Sequence, residues 1–316
     1  MKHIPSYPKV LILGSNYTEN AFVGDVIIQE KVDGSQFGFG VNEDGQLIAR
    51  SKGKALELDA PEKLFGKGVE YLKSICKIVE SFPSNTFFYA EYLASPKHNV
   101  LKYDRVPKNN IVLFDGTIGG VWATRSMLEE IALKLDVDII PELYKGSVET
   151  KRIDLGMGGY KSSSIDFLKR IIETTPSFLG NELIEGTVIK NYSQLIMVGG
   201  QIYPLFTKYV REAFKERHDV EWKVKSPKGA LDEFIDGFRS NARWQKALIH
   251  LREKGLLENH PRDIAKLIKT VQDDIEEEDG EYIKNFLYNK FLGNIKRKSI
   301  SGLPEWYKEK LLENIK

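Results

Sequence analysis

The sequence predicts an α+β protein, with antiparallel sheets and helices followed by an all-helical C-terminal domain. Three observations carry this expectation. Short apolar runs closed by Gly- and Asp-containing turns recur through the first two thirds of the chain. Helical spacing interrupts them only in separate stretches. After about residue 217 helical spacing alone continues to the end. The expected domains are 1–217 and 218–316, since 316 residues exceed what one core usually serves.

Taken in order, residues 1–22 hold Pro5, Pro8 and Gly14 around an apolar Val10–Leu13, which suggests loop, short strand, loop. Strands are expected at about 23–31, 36–42 and 46–51, the last two joined at Asp44-Gly45, a hairpin signal. Pro61 opens a helix in which Leu64, Phe65, Val69, Leu72, Cys76 and Val79 recur at helical spacing up to Phe82. Thr86–Leu93 is rich in Phe and Tyr and reads as a strand, 94–110 as a polar loop, and Ile111–Asp115 as a short strand ending in an acid. Ser126 with Glu129 forms a capping-box pattern for a helix to about Leu135, and Ser163–Thr174 carries another. Strands return at about 183–190, 195–198 and 202–210, with Gly199-Gly200 turning between the last two. In the tail, 229–239, 241–254, 261–276, 280–296 and 304–315 are helix-like, punctuated by Pro227, Gly255, Pro261, Gly280, Gly302 and Pro304.

Composition bounds the function. Hydrophobic residues make up 41% and charged residues 29%, which suits packed cores in a soluble protein. A single cysteine, Cys76, excludes an intramolecular disulfide framework and fits a reducing, cytoplasmic compartment; its helical apolar neighbours read as packing. No cationic leader with an apolar run opens the chain, and no stretch approaches the roughly 20 apolar residues that span a bilayer. The formal net charge is +1, so a nucleic-acid partner has to be met by local basic patches.

Chemistry concentrates at Glu30-Lys31-Val32-Asp33-Gly34-Ser35, between two predicted strands. A lysine held by rigid backbone, with an acid two residues on and a glycine that lets substrate approach, reads as a covalent nucleophile; the alternative is a surface lysine at a hairpin. Attack needs a neutral amine, so burial and nearby cations are expected to lower the lysine pKa from about 10.4. Glu91 sits inside an aromatic strand, where an acid either has a polar task, such as accepting from a ribose, or faces outward. Phe114 either stacks on a base or packs in the core. Asp115 could help hold a metal or position a lysine. Glu185-Gly186 at a strand mouth offers a carboxylate to Mg²⁺. Lys208 ends the last strand, with Arg211, Lys215 and Arg217 adding charge suited to phosphates.

The ordered set Lys31-x-Asp-Gly, Arg50-Ser51, Ala90-Glu91, Phe114-Asp115, Glu185-Gly186-x-Val188 and Lys208 resembles the covalent nucleotidyltransferases, which include ATP-dependent polynucleotide ligases and mRNA capping enzymes. Within them the chain most resembles the phage-type RNA ligase 2 family, through the Tyr103-Asp104-Arg105 loop, the long insert before Glu185 and the helical tail. The resemblance spans about residues 5–216 and implies an ATP-grasp-like ligase domain. It implies that Lys31 attacks the α-phosphate of ATP and holds AMP, that Arg50 contacts phosphate, that Glu91 binds ribose and that Phe114 stacks on adenine. It further implies metal binding by Glu185, with Asp115 as an additional metal candidate and Asp33 as an additional nucleotide-binding candidate, a catalytic Lys208 that contacts the α-phosphate and lowers the Lys31 pKa, and adenine reading by the Glu30 backbone. The implied cofactors are ATP and Mg²⁺ or Mn²⁺, and the implied partner is RNA with 5′-phosphate and 3′-hydroxyl ends.

Two positions depart from that pattern: Val210 stands where a second lysine is common, followed by Arg211, and Asp33 stands where phage-type members can have His. A GTP-dependent capping enzyme or a DNA ligase usually carries a barrel domain after the last lysine motif, and residues 218–316 have helical periodicity instead. A non-catalytic nucleic-acid-binding protein is the remaining class, opposed by the presence together of Lys31, Glu91, Glu185 and Lys208. In the tail, Lys223, Lys225 and Lys228, or Lys296-Arg297-Lys298, either track a nucleic-acid backbone or form solvated faces. Trp222, Trp244 and Trp306 are expected between helices.

Overall fold

A computed structural model describes residues 3–15, 17–61, 63–148, 152–154, 160–198, 200–215 and 227–313. The chain divides into two compact units, Met1–Lys215 with Leu248–Asp263, and Glu216–Ala247 with Ile264–Lys316.

The first unit opens with strands β1 (Leu11–Ile12), β2 (Asp25–Lys31), β3 (Ser35–Val41), β4 (Leu47–Ser51) and β5 (Ala55–Leu56). Helices α1 (Gly66–Ser74) and α2 (Cys76–Val79) follow, then β6 (Thr86–Tyr92), β7 (Ile111–Ile118) and β8 (Val121–Trp122). Helix α3 (Arg125–Lys134) leads to β9 (Asp138–Ile139), β10 (Glu142–Ser147), β11 (Arg152–Asp154) and β12 (Tyr160–Ser162). Helix α4 (Ser163–Thr174) precedes the long hairpin of β13 (Gly186–Val198) and β14 (Gln201–Val210).

These strands build two main sheets. The first has the order β1-β14-β13-β2-β10, and the second β5-β4-β3-β6-β7-β8 with β9 beside β7. Pairing is antiparallel except for β1 with β14 and β7 with β9. Strand β2 belongs to the first sheet and β3 to the second, so Val32-Asp33-Gly34 is the crossing between sheets. Each sheet has its own apolar face. Phe37, Phe39, Phe88 and Tyr92 pack with Phe65, Leu72 and Ile131, while Val26, Ile28 and Ile189 pack with Leu168 of α4. Fully burying one such side chain contributes roughly 1.5–3 kcal/mol. Cys76 is partly buried against the larger cluster.

The α+β class with a helical C-terminal region is as expected, with local differences. The helix expected from Pro61 begins at Gly66 and is interrupted at Ile75. Thr124, not Ser126, caps α3, its Oγ1 accepting from the Met127 N–H. The strands expected at 183–190 and 195–198 are one strand, β13, with a register shift between Asn191 and Leu195. Strand β10, paired with β2, has no clear alternation in sequence to predict it. The turn residue Gly199 lies outside the described residues.

In the helical region, α5 (Pro227–Asp236) and α6 (Asn241–Glu253) are followed by α7 (Asp263–Ser299) and α8 (Leu303–Glu313). Gly280 does not divide α7 as expected: an interior glycine costs only about 1 kcal/mol, and packing of the helix overrides it. In the second unit Phe234 stacks on Phe286 at 3.8 Å, and buried Arg243 donates to Asp274 and Asp279. Trp244 and Trp306 are each 54% exposed, against the expectation that they sit between helices. Trp222, Lys223 and Lys225, Arg217, and the side chain of Lys228, lie outside the described residues. No helix among the described residues is long and apolar enough to cross a membrane.

Candidate active site

Lys31 is the last residue of β2 and stands opposite Gly186, the first residue of β13. That register brings Glu185 beside it. Lys31 Nζ donates to Glu185 Oε2 at 2.8 Å, across 154 residues of sequence. Gly186 is required for this approach, because a Cβ there would lie 2.4 Å from the Tyr209 carbonyl oxygen.

The electrostatics reverse one expectation. Burial pulls the Lys31 amine down, but Glu185, Glu91 and Asp33 together outweigh it and push the pKa up to about 12. The amine is therefore a protonated partner of Glu185, not a neutral nucleophile. Burial pushes the Glu185 carboxyl up, opposed by Lys31 and more weakly by Lys208. Glu91 is raised to about 8, mainly by burial, and its Oε2 is buried without a hydrogen-bond partner. A buried orphan acceptor of this kind is costly unless a ligand fills it. Gly34 backs it: a Cβ there would meet Glu91 Oε2 at 3.1 Å. Lys31, Asp33, Glu91, Glu185 and Lys208 thus share one electrostatic neighbourhood.

The segment carrying Lys31 is clasped from two sides. Asp33 Oδ2 accepts from the Val100 and Leu101 N–H groups, each at 2.7 Å, and the Asp33 N–H donates to Tyr103 Oη. Asn99 donates to the Gly34 carbonyl, and His98 Nε2 meets Ser35 Oγ at 2.8 Å. Glu30 is buried, accepting from Ser177 Oγ and from the Phe178 N–H, while its backbone lies in register with Thr187. The two clasping loops also join each other, since Asp104 Oδ2 accepts from Asn181 and the Asp104 and Arg105 N–H groups donate to the Leu179 carbonyl. Asp33, expected among nucleotide contacts, therefore braces the loop with its carboxylate.

Asp115 is a correction. It is fully buried, and its Oδ2 receives Lys190 Nζ at 2.9 Å and the Tyr7 and Tyr192 hydroxyls at 2.8 Å. Its remaining oxygen accepts from the Gly116 N–H. A carboxylate so occupied has no place for a metal, and of the two sequence readings it positions a lysine. Lys190 also donates to the Phe114 carbonyl at 2.6 Å, so the pair holds the backbone of Phe114. The Phe114 ring is half-buried, edge-on to Tyr7 at 4.9 Å. Burial lowers the Lys190 pKa against the pull of Asp115. The guanidinium of Arg50 is held by the Ile4, Ser51 and Lys52 carbonyls, in a crevice it shares with Tyr7, Gln36, Gly38 and Tyr89. The Arg211 guanidinium donates to the Leu183 carbonyl and its backbone N–H to the Glu185 carbonyl, leaving its buried Nε without a partner.

Sequence reasoning misses Lys190, Tyr7, Tyr192, His98 and Ser177. Lys190 is visible as a lysine in an otherwise apolar run; the others are single polar residues in loops and at strand positions with no local pattern. Among the described residues, no group of three or more His, Cys, Asp or Glu could hold a metal ion.

The profile of the RNA ligase family matches residues 24–210. The chain belongs to the RNA ligase family. The match runs from just before β2 to the end of β14, and so contains Lys31, Glu91, Glu185 and Lys208. Similar solved structures include a Naegleria gruberi RNA ligase with PPi, at 14% identity and TM-score 0.45, covering 68% of this chain and 58% of that one. A point variant of the Naegleria gruberi RNA ligase with ATP and Mn gives 13% identity and TM-score 0.46, over 68% of this chain and 58% of that one. A putative ATP-dependent DNA ligase from Aquifex aeolicus gives 14% identity and TM-score 0.41, over 88% and 68%. The chain thus spans less than two thirds of the length of these Naegleria chains. No curated protein matches it.

Proposed function

We propose that this member of the RNA ligase family is an ATP-dependent RNA ligase that joins 5′-phosphate and 3′-hydroxyl ends in RNA repair, through a lysyl-AMP intermediate. The observation that carries this reading is the Lys31–Glu185 contact beside the unpartnered Glu91 carboxylate oxygen. It supplies a nucleophilic amine, a base within reach of its proton, and an acceptor waiting for a ligand donor.

In the first step Lys31 Nζ gives up a proton, Glu185 being the nearest acceptor, and forms a P–N bond to the α-phosphorus of ATP as pyrophosphate leaves. Glu91 accepts from the ribose, Lys208 and the Arg211 Nε meet phosphate oxygens, and Phe114 stacks on adenine. The Arg50 guanidinium keeps its carbonyl partners and turns a remaining N–H to phosphate. A 5′-phosphate then takes AMP from Lys31, and a 3′-hydroxyl displaces AMP to form the phosphodiester. Adenylyl transfer is assigned to residues 1–217, which contain every residue named here, and a cytoplasmic setting accords with the single cysteine. A divalent cation, Mg²⁺ or Mn²⁺, supplies charge neutralisation at the phosphates. Glu185, in its ionised form, would be the protein ligand to it, since Mg²⁺ is commonly held by one or two carboxylates together with substrate phosphates.

The test is incubation with α-labelled ATP or GTP and Mg²⁺, followed by denaturation. Acid-labile label from ATP on the wild type, absent from Lys31→Ala, is the expected result. No adduct with either nucleotide overturns the reading, and label from GTP alone moves it to capping chemistry. Sealing of nicked duplexes with RNA or DNA strands then separates an RNA from a DNA ligase.

A further inference from the structure

Helix α7 carries a charge polarity along its length. Every charged residue from 273 to 281 is acidic, and every one from 284 to 298 is basic. Asp274, Glu278 and Asp279 meet Arg243 and Lys246 of the same unit, while Glu277 and Glu281 are exposed and Glu281 pairs with Lys284 of the same helix at 2.6 Å. The helix macrodipole favours Lys296, Arg297 and Lys298 in the last turn but does not account for the acidic block, which begins well inside a helix whose first turns carry Lys266 and Lys269.

The apolar pattern divides in the same way. Tyr282 and Phe286 face their own unit, where they stack against Phe234. On the opposite side, Tyr288 is 64% and Ile295 58% exposed, with half-buried Phe291 and Leu292 between them. The positions 277, 281, 284, 288, 291, 295 and 298 alternate in steps of four and three, the spacing of a coiled-coil seam. The seam reads Glu, Glu, Lys, Tyr, Phe, Ile, Lys, acidic at one end and basic at the other.

We propose that this face is a homodimer interface, in which α7 pairs antiparallel with α7 of a second copy about a two-fold axis at Tyr288. Reversing the seam about that residue sets Glu277 opposite Lys298, Glu281 opposite Ile295, Lys284 opposite Phe291, and Tyr288 opposite itself. Such an interface is self-complementary, as two-fold symmetry demands. The central apolar and aromatic residues supply the attraction, with Lys284 placed over a Phe291 ring, and the outer charges fix direction and register. A parallel pairing is excluded by the same charges, since it sets acid against acid and base against base. Nucleic acid is a poor occupant of this face, because the acidic block would repel it.

The experiment is sedimentation velocity of the full chain over a concentration series. A monomer–dimer equilibrium is expected. Ile295→Asp, at an exposed position, is expected to give a monomer with unchanged circular dichroism. Glu277→Lys and Lys298→Glu should each weaken the dimer roughly tenfold, because each places like charges at two symmetric contacts. An equimolar mixture of the two single variants should recover a heterodimer, and the double variant E277K/K298E should recover the homodimer. A chain that stays monomeric to high micromolar concentration overturns the proposal. So does a dimer that is indifferent to Ile295→Asp, or single variants that do not rescue each other on mixing.

Discussion

Lys31 Nζ and Glu185 Oε2 lie 2.8 Å apart, and this pair sets the protonation state of the candidate nucleophile. Burial alone would lower the amine; the carboxylate, helped by Glu91 and Asp33, holds it at about 12. Glu185→Gln removes the largest raising influence and leaves burial to act. The Lys31 amine is then expected to titrate at lower pH than in the wild type. Reductive methylation or acylation across a pH series, followed by peptide mass spectrometry, reads this directly. An unchanged or higher midpoint in the variant contradicts the assignment of the pair.

Glu91 gives a second prediction, for stability. Its folded pKa, about 8, is raised above the ordinary value of 4.5. Between those values the folded state binds more protons than the unfolded state, so this group makes stability fall as pH rises from about 4.5 to 8. Glu91→Gln removes that penalty. The variant is expected to be more stable than the wild type at pH 8 by roughly 1–3 kcal/mol, because a neutral amide removes the cost of ionising a buried carboxyl while the polar group itself stays unpartnered. The advantage should shrink toward pH 5. Urea unfolding at the two pH values measures it, and label transfer from ATP should drop in the same variant, which would mark Glu91 as a site where stability is given up for binding.

The buried Lys190–Asp115 pair yields a third. Side chains at 2% and 0% exposure share a contact of 2.9 Å. Removing one partner strands the other charge, which typically costs roughly 3–5 kcal/mol. Lys190→Met or Asp115→Asn is expected to lower Tm strongly, and the double variant to recover part of the loss. Additive losses in the double-mutant cycle would mean that the two residues act independently.

What is legible in the sequence follows a physical division. Lys31, Glu91, Glu185 and Lys208 stand out in the sequence through their order along the chain, each on or beside a predicted strand, and the fold brings them into one neighbourhood. The sheets are legible through short apolar runs closed by Gly- and Asp-containing turns. The braces are not. His98, Asn99 and Tyr103 reach Ser35, Gly34 and Asp33 from a loop more than 60 residues away in sequence, and Ser177 reaches Glu30 across 147. Such contacts have no period. Asp115 illustrates the limit: its sequence position allows metal binding or lysine positioning, and only the fold, by bringing Lys190, Tyr7 and Tyr192 to the same oxygen, decides between them. The continuity of α7 through Gly280 escapes a sequence reading because a single glycine is a weak break against the packing of Asp279 and Tyr282 on either side.

His98 supplies the last prediction. Its Nδ1 accepts from the Ala94 N–H, so the ring proton lies on Nε2 and is donated to Ser35 Oγ. A neutral imidazole satisfies both contacts and an imidazolium cannot, since it has no acceptor for Ala94. Burial lowers the pKa from 6.5 to about 4, only partly opposed by Asp33. Between those values the unfolded state binds more protons than the folded state, so stability falls as pH drops from about 6.5 to about 4. The full span corresponds to at most about 3 kcal/mol, at roughly 1.36 kcal/mol per pKa unit. His98→Gln is expected to be less stable than the wild type at pH 7, where it loses the paired contacts, and to close that gap toward pH 4. Urea midpoints at pH 7, 5.5 and 4 give the comparison. Parallel pH curves for the two proteins would show that His98 titrates alike in both states and that the Ser35 brace does not depend on its neutrality.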